Sequence, residues 1–565
     1  MKLWIDNNPI VARPGQTLLE LVKELHLDSD LLSRRPLAAK IAGEVFNLNY
    51  IPVRDGEDSD RVSIRRAMAA SQGRITLLRY ADPSGRDVYA RTVQFAVFLA
   101  IARLWPEAEA VMNCTVGSAV HISVKNAKEF SVSALRDELK RLVREDIPLR
   151  RRRVPLQEAI ANYEKQGKQD KARLLRWRSE SFFDEYTYGD YSDYFYGELL
   201  PSMGYLSVWD IISDPDGFFF IYPDDKCADK PAKFTPSPKY LNICSEGKHW
   251  CRLMECQTVA DLNDLTKSGK IRELIRVNEA LHEKRYAQVA DLVCSRGAKA
   301  VMLAGPSSSG KTTSANRLAT QLRVQGRKPI LMGLDDYYID RDKIAPGPDG
   351  KLDLEHINTI DTELFRQHFK RLLLGEEVEL PSFNFLTGKR EWRGHKMQLG
   401  PNTVIIVEGL HALNPSLLPE GIAEELVFRL YVSPLLPLNL DNHNRIPSSL
   451  LRLLRRIVRD FATRGSSVEQ TMAMWDSVRA GEIRWIYPYQ ENADMIFNSS
   501  TVYELAVLKK HIFPLLQAIQ PEQSCYEQVR SIVKVLNYVL EADVDDEIPP
   551  TSLVREFIGG NSFYK

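Results

Sequence analysis

The stretch GPSSSGKTT, residues 305–313, follows the apolar run AVMLA and precedes a segment with helical periodicity. It matches the pattern G-x4-G-K-[ST] through Gly305, Gly310, Lys311 and Thr312. A strand, a glycine loop and a helix in this order predict a loop whose backbone N–H groups bind phosphate. The ligand that this pattern indicates is a nucleoside triphosphate.

Side chains of the loop complete the predicted site. Lys311 is expected to reach the β- and γ-phosphates, and the Thr312 hydroxyl to bind Mg²⁺. ATP and Mg²⁺ are therefore the predicted cofactors. The predicted ATP-binding residues are Gly305, Ser307, Ser308, Ser309, Gly310, Lys311, Thr312 and Thr313.

Two acidic residues follow neighbouring apolar runs. Asp335 comes directly after PILMGL, and Glu408 ends TVIIVE. The carboxyl ends of parallel strands face the crevice where ligands bind. Asp335 is therefore a candidate general base for a substrate hydroxyl, with a solvated loop residue as the alternative. Glu408 is a candidate Mg²⁺ ligand, directly or through water.

A basic segment, RLLRRIVRDFATRG, covers residues 452–465. Arg452, Arg456 and Arg459 recur at helical spacing, and Arg464 follows them. Such a run is often a solvated face. Beside a phosphate loop it indicates a lid that places cationic side chains over a transferring phosphoryl group and excludes water.

Composition limits the classes of protein. The 565 residues predict three or four domains, and 44% apolar with 27% charged residues is typical of soluble globular proteins. Lys plus Arg and Asp plus Glu both count 75, so no global positive field recruits nucleic acid or membrane. The first residues do not resemble a signal peptide, and no apolar run is long enough to span a membrane. We expect a cytoplasmic protein.

The pattern of apolar and polar residues along the sequence predicts a multidomain protein with α+β and α/β parts. The first unit is β-rich, with one amphipathic helix and with two strands around an Asn7-Asn8 turn. In the last large unit apolar strands alternate with helices. This alternation predicts a parallel sheet. The predicted units are 1–62 (β-rich), 63–215 (α+β with long helices), 216–268 (connecting region), 269–520 (α/β) and 521–565 (C-terminal helical extension).

Seven cysteines, scattered and odd in number, favour reduced thiols over a disulfide framework. Four metal-ligating residue types cluster in the connecting region: Cys244, His249, Cys251 and Cys256. Their spacing lacks the C-x2-C pairs of common zinc sites, which favours plain thiols over a metal site.

Several motifs, in this order, resemble the uridine kinase family of P-loop nucleoside kinases. They are GPSSSGKTT, LDDYY, LDLEHINTID, PSFNF, IIVEGLHAL and RRIVRDFATRG, followed by MWDSVRAGEIRWIYPYQENADMIFNS, over about residues 280–515. The resemblance implies a P-loop α/β domain with a helical lid. It also implies transfer of the ATP γ-phosphate to the 5'-OH of a uridine- or cytidine-like nucleoside.

The same resemblance assigns roles to residues. It implies that Asp335 is the catalytic base, with Lys311 and Arg459 as further catalytic residues, and that Glu355 contacts the ribose hydroxyls. The implied substrate-binding residues are Tyr338, Glu355, Phe383, Arg390, Arg456 and Arg464.

This chain departs from the family's P-x-Y-D-F-x-x-H-x-R pattern. Phe383 replaces the tyrosine, Gly388 replaces the base-reading histidine, and Glu355 stands where an aspartate is common. A site that reads a base by hydrogen bonds loses discrimination when these groups are absent. The acceptor is therefore open between a pyrimidine nucleoside, another nucleoside and a different small polyol.

The front of the chain resembles the N-terminal region of threonyl-tRNA synthetase. Residues 1 to about 60 resemble its TGS domain, a β-grasp fold. Residues from about 63 to 205, with TVQFAVFLAIARLWPEA and GDYSDYFYGELLP, resemble the editing domain. The positions of that domain's metal ligands hold residues that do not bind zinc: Arg91, Phe95, Phe195 and Leu199.

Three uses of this front half remain open. It could bind RNA through Arg150–Arg153, bind a small molecule, or dock on the kinase-like half; for the arginine run we favour a solvated loop over an RNA contact. Self-association is a further expectation from the family. An alternative to a kinase is a nucleotide-switched regulatory or RNA-binding protein. If Asp335 and Glu355 face one cavity beside Lys311, the kinase is favoured.

Overall fold

The computed structural model describes residues 2–52, 71–344, 353 and 355–563. Its first unit is a mixed five-stranded sheet with one helix. The elements are β1 (Lys2–Ile5), β2 (Asn8–Val11), α1 (Leu18–Glu24), β3 (Ala38–Ile41), β4 (Glu44–Phe46) and β5 (Arg74–Leu78). The strand order is β2-β1-β5-β3-β4, with β1 and β5 parallel at the centre.

The hairpin at the N-terminus turns one residue earlier than predicted. Ile5 pairs with Asn8, and the two residues between them, Asp6 and Asn7, have φ values of 45° and 70°. A two-residue hairpin turn of this kind requires positive φ at both central positions, which Asp and Asn tolerate. The predicted boundary at 62/63 lies outside the described residues, yet β5, beyond it, completes this sheet.

The second unit contains two antiparallel sheets and four helices. Its elements are α2 (Pro83–Leu104), β6 (Glu109–Val116), β7 (Ala119–Lys125), α3 (Val132–Glu145), β8 (Arg150–Pro155), α4 (Leu156–Lys165), α5 (Gln169–Leu175), β9 (Phe182–Tyr188), β10 (Tyr191–Asp193), β11 (Asp210–Asp214) and β12 (Gly217–Ile221). One sheet has the order β11-β12-β7-β6 and the other β10-β9-β8.

The region 216–268 contains more structure than a connection. Its first strand, β12, is fully buried and pairs with β7 inside the second unit's sheet, so the predicted boundary at 215/216 falls within the β11–β12 hairpin. Helices α6 (Pro238–Leu253) and α7 (Val259–Lys267) follow. In the described part of the chain no three His, Cys, Asp or Glu side chains form a group that could hold a metal, and Cys251 and Cys256 lie in the hydrophobic core.

The four positions compared with editing-domain metal ligands lie together and are tightly packed. Phe95 of α2 makes an edge-to-face contact with Phe195, with ring centroids 6.2 Å apart. Phe195 and Leu199 are buried, and Nε of Arg91 donates to the carbonyl of Glu198. Side chains thus fill this region of the second unit.

The arginine run Arg150–Arg153 lies in strand β8, so the prediction of a solvated loop is wrong. Arg151 donates to Asp184 and Glu198, at 2.7 and 2.5 Å, and the Arg153 guanidinium lies over the Phe182 ring. β8 pairs with the acidic strand β9, which gives the positive charges local partners.

The C-terminal half is organised by a five-stranded parallel sheet, which confirms the predicted α/β unit. Its strands are β13 (Ala300–Ala304), β14 (Lys328–Gly333), β17 (Thr403–Glu408), β18 (Val427–Ser433) and β21 (Met495–Asn498), in the order β14-β17-β13-β18-β21. Two hairpins accompany it: β15 (Val378–Asn384) with β16 (Lys389–Met397), and β19 (Asn439–Asp441) with β20 (Asn444–Arg445). β13 is buried along its whole length, as expected for a strand with helices on both faces.

The helices of this half surround the sheet and continue to the C-terminus. They are α8 (Ile271–Arg296), α9 (Lys311–Val324), α10 (Thr362–Leu373), α11 (Ser448–Arg464), α12 (Val468–Trp485), α13 (Glu504–Gln517), α14 (Tyr526–Leu536) and α15 (Arg555–Ile558). Leu553, Val554 and Phe557 are buried, so the last segment packs onto the body. Among the helices of the described residues, none is long and apolar enough to cross a membrane.

A buried charge cluster joins the two halves. Nζ of Lys171, in α5, lies 2.8 Å from Oδ1 of Asp193 and 3.1 Å from Oδ1 of Asp441 in the β19 strand. His443 Nδ1 is 2.7 Å from the same Asp193 carboxylate, and the His443 ring stacks on Phe98. Lys171 belongs to the front half, so the buried Asp441 carboxylate keeps this cationic partner only while the halves remain together.

Candidate functional site

The loop between β13 and α9 has the backbone of a phosphate-binding turn. Ser308 and Gly310 have φ values of 59° and 83°. A Cβ at Gly305 would lie 2.1 Å from the carbonyl oxygen of Val432, so only glycine fits where the loop leaves the sheet. The sequence therefore places glycine where the backbone requires it.

Polar groups in this loop fit an anionic ligand. The hydroxyls of Ser308 and Ser309 are buried and have no hydrogen-bond partner among the described residues. Nζ of Lys311 donates to the carbonyl of Pro306 at 3.2 Å and thereby lies folded over the loop. Unpaired buried hydroxyls are costly unless a ligand accepts their hydrogen bonds, and phosphate oxygens are such acceptors.

A hydroxyl oxygen and a carboxylate oxygen meet at the adjoining strand end. Oγ1 of Thr312 donates to Oε1 of Glu408 at 2.9 Å, because Glu408 ends β17 beside β13. Burial raises the pKa of Glu408 to about 7, and the nearby Lys311 charge opposes this shift. A hydroxyl and a carboxylate beside a phosphate loop suit Mg²⁺.

Asp335 lies on the same edge of the sheet, just after β14. Its side chain is exposed to solvent at the rim of the cleft. Partial desolvation by the surrounding protein raises the pKa of Asp335, whereas the charge of Lys311 lowers it. Asp335 is thus near enough to Lys311 for the two charges to interact.

Glu355 lies against α12. A Cβ at Gly481 would lie 2.4 Å from Cβ of Glu355. The glycine therefore leaves the space that the Glu355 side chain occupies. Burial raises the pKa of Glu355 to about 7, with a further increase from the charge of Glu482 and opposite effects from Arg456 and Lys311. Lys311 thus interacts with all three carboxylates of the site, those of residues 335, 355 and 408.

Aromatic rings form another wall of the cleft. Tyr338 contacts Phe383 and Phe385, with ring centroids 5.5 and 6.4 Å apart. Phe383 is buried, whereas Phe385 is 54% exposed. Arg390, a predicted substrate-binding residue, donates to Oδ2 of Asp361 at 2.9 Å and so belongs to the support of this wall.

The predicted arginine lid divides into two groups. Arg456 donates to Oγ of Ser307 at 3.0 Å, so it reaches the phosphate loop. Arg459 and Arg464 both pair with Asp460, and Arg464 also interacts electrostatically with Asp335. Arg456 therefore lies at the loop and Arg464 near Asp335, whereas the described contacts of Arg459 are with Asp460 and Thr463.

Arg452, predicted as part of the lid, instead forms a buried support. Its guanidinium makes two hydrogen bonds to Glu482, and Nη1 also donates to the carbonyl of Ser307 at 3.1 Å. Glu482 in turn accepts the Ser307 N–H at 3.1 Å. The Arg452–Glu482 pair thus binds both the carbonyl and the N–H of Ser307, at the start of the loop.

Sequence reasoning did not single out Glu482, or the second buried pair between Arg455 and Glu504. Arg455 also donates to the carbonyl of Ser308 at 3.3 Å. The available signal was the position of these charged residues on otherwise apolar helix faces, because unpaired charges are not found there.

Comparisons with known proteins identify a family for part of this chain. Residues 300–506 match the model of the Phosphoribulokinase / Uridine kinase family. The uridine kinases of Salmonella paratyphi B and Salmonella typhimurium are each 32% identical to this chain over 197 residues, which are 34% of this chain and 84% of the relative.

Two solved structures also match part of this chain. A Silicibacter sp. TM1040 protein, provisionally described as a fructose transport system kinase, is 23% identical and covers 38% of this chain and 98% of its own, with a TM-score of 0.28. D-glycerate 3-kinase from Cryptococcus neoformans is 16% identical and covers 49% of this chain and 89% of its own, with a TM-score of 0.20. The family assignment rests on the sequence matches, and through residues 300–506 this chain belongs to the Phosphoribulokinase / Uridine kinase family.

Proposed function

We propose that the chain transfers the γ-phosphate of ATP to a hydroxyl of a small molecule, and that the acceptor is the 5'-OH of a nucleoside. Family membership supports the ATP-dependent phosphotransferase. The observation that carries the proposal is the grouping of Asp335 and Glu355 around Lys311, beside the Thr312–Glu408 pair. The two carboxylates would supply a base and a hydrogen-bond acceptor for a substrate hydroxyl close to the charge of Lys311.

Each group then has a role. When bound, Mg²⁺–ATP supplies the phosphoryl group and neutralises part of its charge. Asp335 takes the proton from the attacking hydroxyl, and Lys311 holds the phosphate chain with the loop amides. Arg456 and Arg464 close over the transferring group.

The acceptor side favours a sugar hydroxyl with a flat ring. Glu355 can accept hydrogen bonds from two neighbouring hydroxyls, and the aromatic wall of Tyr338, Phe383 and Phe385 offers faces for stacking. Neither Phe383 nor Gly388 has a side chain that can hydrogen-bond a base. We therefore propose a nucleoside kinase with weak base discrimination, and a non-nucleoside polyol as the second candidate acceptor.

The experiment is an ADP-release assay with Mg²⁺–ATP and a panel of acceptors. The panel holds uridine, cytidine, adenosine, guanosine and the polyols ribose and glycerol, with product mass identifying the phosphorylated hydroxyl. A nucleoside 5'-phosphate is the expected product. Stimulation by ribose or glycerol alone would favour the polyol, and stimulation by none of the panel would contradict the proposal.

We propose that the front half is a TGS-like β-grasp unit followed by an editing-like unit without metal ligands, and that it serves as a docking unit for the kinase. The buried Lys171–Asp441 contact supports docking, because it ties α5 to the kinase half. A nucleotide-switched regulatory protein would use the same contact. Turnover of an acceptor distinguishes a kinase from a nucleotide-switched regulatory protein.

The acceptor KM should fall about tenfold as pH rises from roughly 6 to 8. The pKa of Glu355 is raised to about 7, so its carboxyl is mostly protonated at the lower pH and ionised at the higher. Protonation turns one oxygen into an O–H donor and removes the charge, so the ionised form is the stronger acceptor for two hydroxyl groups. The charged groups that act on Glu355 are Glu482, Arg456, Lys311 and Asp335.

Glu355→Gln is the control, since it keeps the shape and removes the ionisation. Its acceptor KM should be higher and independent of pH over this range, while its KM for ATP stays close to that of the wild type. An equally steep pH dependence in Glu355→Gln would show that another group titrates.

A further inference from the structure

The C-terminal segment, residues 552–563, lies directly on the phosphate loop. A Cβ at Gly310 would lie 2.5 Å from Cδ2 of Leu553, so the Leu553 side chain covers the loop at its last glycine. Leu553 and Val554 are completely buried. The segment is thus packed into the loop and the start of α9.

A carboxylate of this segment binds the first turn of α9. Oε2 of Glu556 accepts hydrogen bonds from the backbone N–H of Thr313 at 3.4 Å and from its hydroxyl at 2.6 Å. Nδ2 of Asn561 donates to the same hydroxyl at 3.4 Å. Thr313 is the third residue of the helix, so its N–H is one of those that lack an intrahelical acceptor. In a phosphate loop such N–H groups bind phosphate oxygens.

Contacts on both sides hold this carboxylate in position. Ser552 Oγ donates to Oε1 of Glu279 at 2.7 Å, which attaches the start of the segment to α8. The guanidinium of Arg455 lies 4.8 Å from the ring centre of Phe557 and also donates to the carbonyl of Ser308. One arginine therefore contacts both the segment and the loop.

We propose that the Glu556 carboxylate competes with a phosphate group of the nucleotide for Thr313, so that the C-terminal segment is an autoinhibitory element of the nucleotide site. The inference rests on the proposed function. A carboxylate and a phosphate are both anions, and placing both at one pair of donors is unfavourable in a partly buried site. Nucleotide binding then requires that Glu556 leaves Thr313.

The coupling is reciprocal: whatever holds the segment away from the loop increases nucleotide affinity, and nucleotide frees the segment. A partner or modification that captures residues 552–563 would thereby activate the enzyme.

The test is the affinity of the full-length chain for Mg²⁺–ATP, measured by calorimetry in wild type and Glu556→Gln. The amide keeps the size of the side chain and removes its charge. We expect about tenfold tighter binding, within the range typical of coupling between sites. Glu547→Gln is the matched control, because Glu547 belongs to the same C-terminal region but pairs with Arg272 and Arg276 of α8. Its ATP affinity should equal that of the wild type.

Equal or weaker ATP binding by Glu556→Gln, with normal binding by the wild type, would overturn the inference and leave the proposed function intact. Failure of both proteins to bind ATP would overturn the proposed function as well. Hydrogen exchange of the wild type gives a second measurement that needs no variant. Saturation with Mg²⁺ and a non-hydrolysable ATP analogue should increase exchange in residues 552–563, and increased protection there would contradict the displacement.

Discussion

Asp335→Asn is expected to lower kcat by about 10²- to 10⁴-fold, the usual contribution of a positioned general base. The amide cannot take the proton from the acceptor hydroxyl, but it preserves the shape of the cleft. Affinity for Mg²⁺–ATP should change by no more than about twofold, because the proposed role of Asp335 is in the transfer step and not in holding the nucleotide. Acceptor-dependent ADP release and ATP calorimetry measure the two quantities.

Asp336→Asn is the matched control. Asp336 is the adjacent carboxylate, and its Oδ1 accepts the N–H of Phe383 at 3.2 Å, which supports the aromatic wall. Its replacement should raise the acceptor KM modestly and leave kcat within about tenfold of the wild type. If the two variants lose kcat equally, the proton is not transferred to Asp335.

Local sequence patterns were sufficient for the phosphate loop and the parallel sheet. Gly310 adopts φ = 83°, which favours glycine, and the apolar run of β13 is buried throughout, so spacing and hydrophobicity carry the information directly. The carboxylates Asp335 and Glu408 followed from the rule that parallel strand ends meet at one edge. These features depend on residues close together in the chain.

Features that depend on distant partners could not be predicted in this way. Arg452 and Arg456 share one basic helix and look equivalent in sequence, yet Arg452 is buried against Glu482, 30 residues away, whereas Arg456 reaches Ser307. Thr313 and Glu556 are 243 residues apart. Helical spacing tells which residues share a face, but the partner of that face is set by tertiary packing.

Strand pairing and charge explain two further differences between the predicted and the observed structure. Four consecutive arginines at 150–153 conceal the alternation of a strand, and the pairing with β9 became visible only through contacts such as Arg151 with Asp184. The sequence predicts that the segment containing β12 is a connecting region, because the residues that follow it are rich in Pro, Asp and Lys. Its partner β7 lies almost a hundred residues earlier in the chain, and no local pattern identifies such a pairing.

The largest expected loss of stability comes from Glu482→Ala. Glu482 is completely buried and receives hydrogen bonds from Arg452, Arg479, Tyr487 and the Ser307 N–H. The substitution leaves the buried Arg452 guanidinium without its counter-charge. Breaking a buried ion pair from one side costs about 3 to 5 kcal/mol, which corresponds to a Tm of the kinase half lower by roughly 10 °C.

Arg479→Ala is the control that separates the loss of a buried ion pair from the loss of a partly exposed one. Arg479 donates to the same carboxylate at 3.1 Å but is partly exposed, so its removal should cost no more than about 1 kcal/mol. Differential scanning calorimetry of the full chain measures both variants, and ATP affinity should fall in Glu482→Ala because Ser307 loses its acceptor. Equal Tm values for the two variants would mean that Arg452 finds another partner or water, and that the loop does not depend on this buried pair.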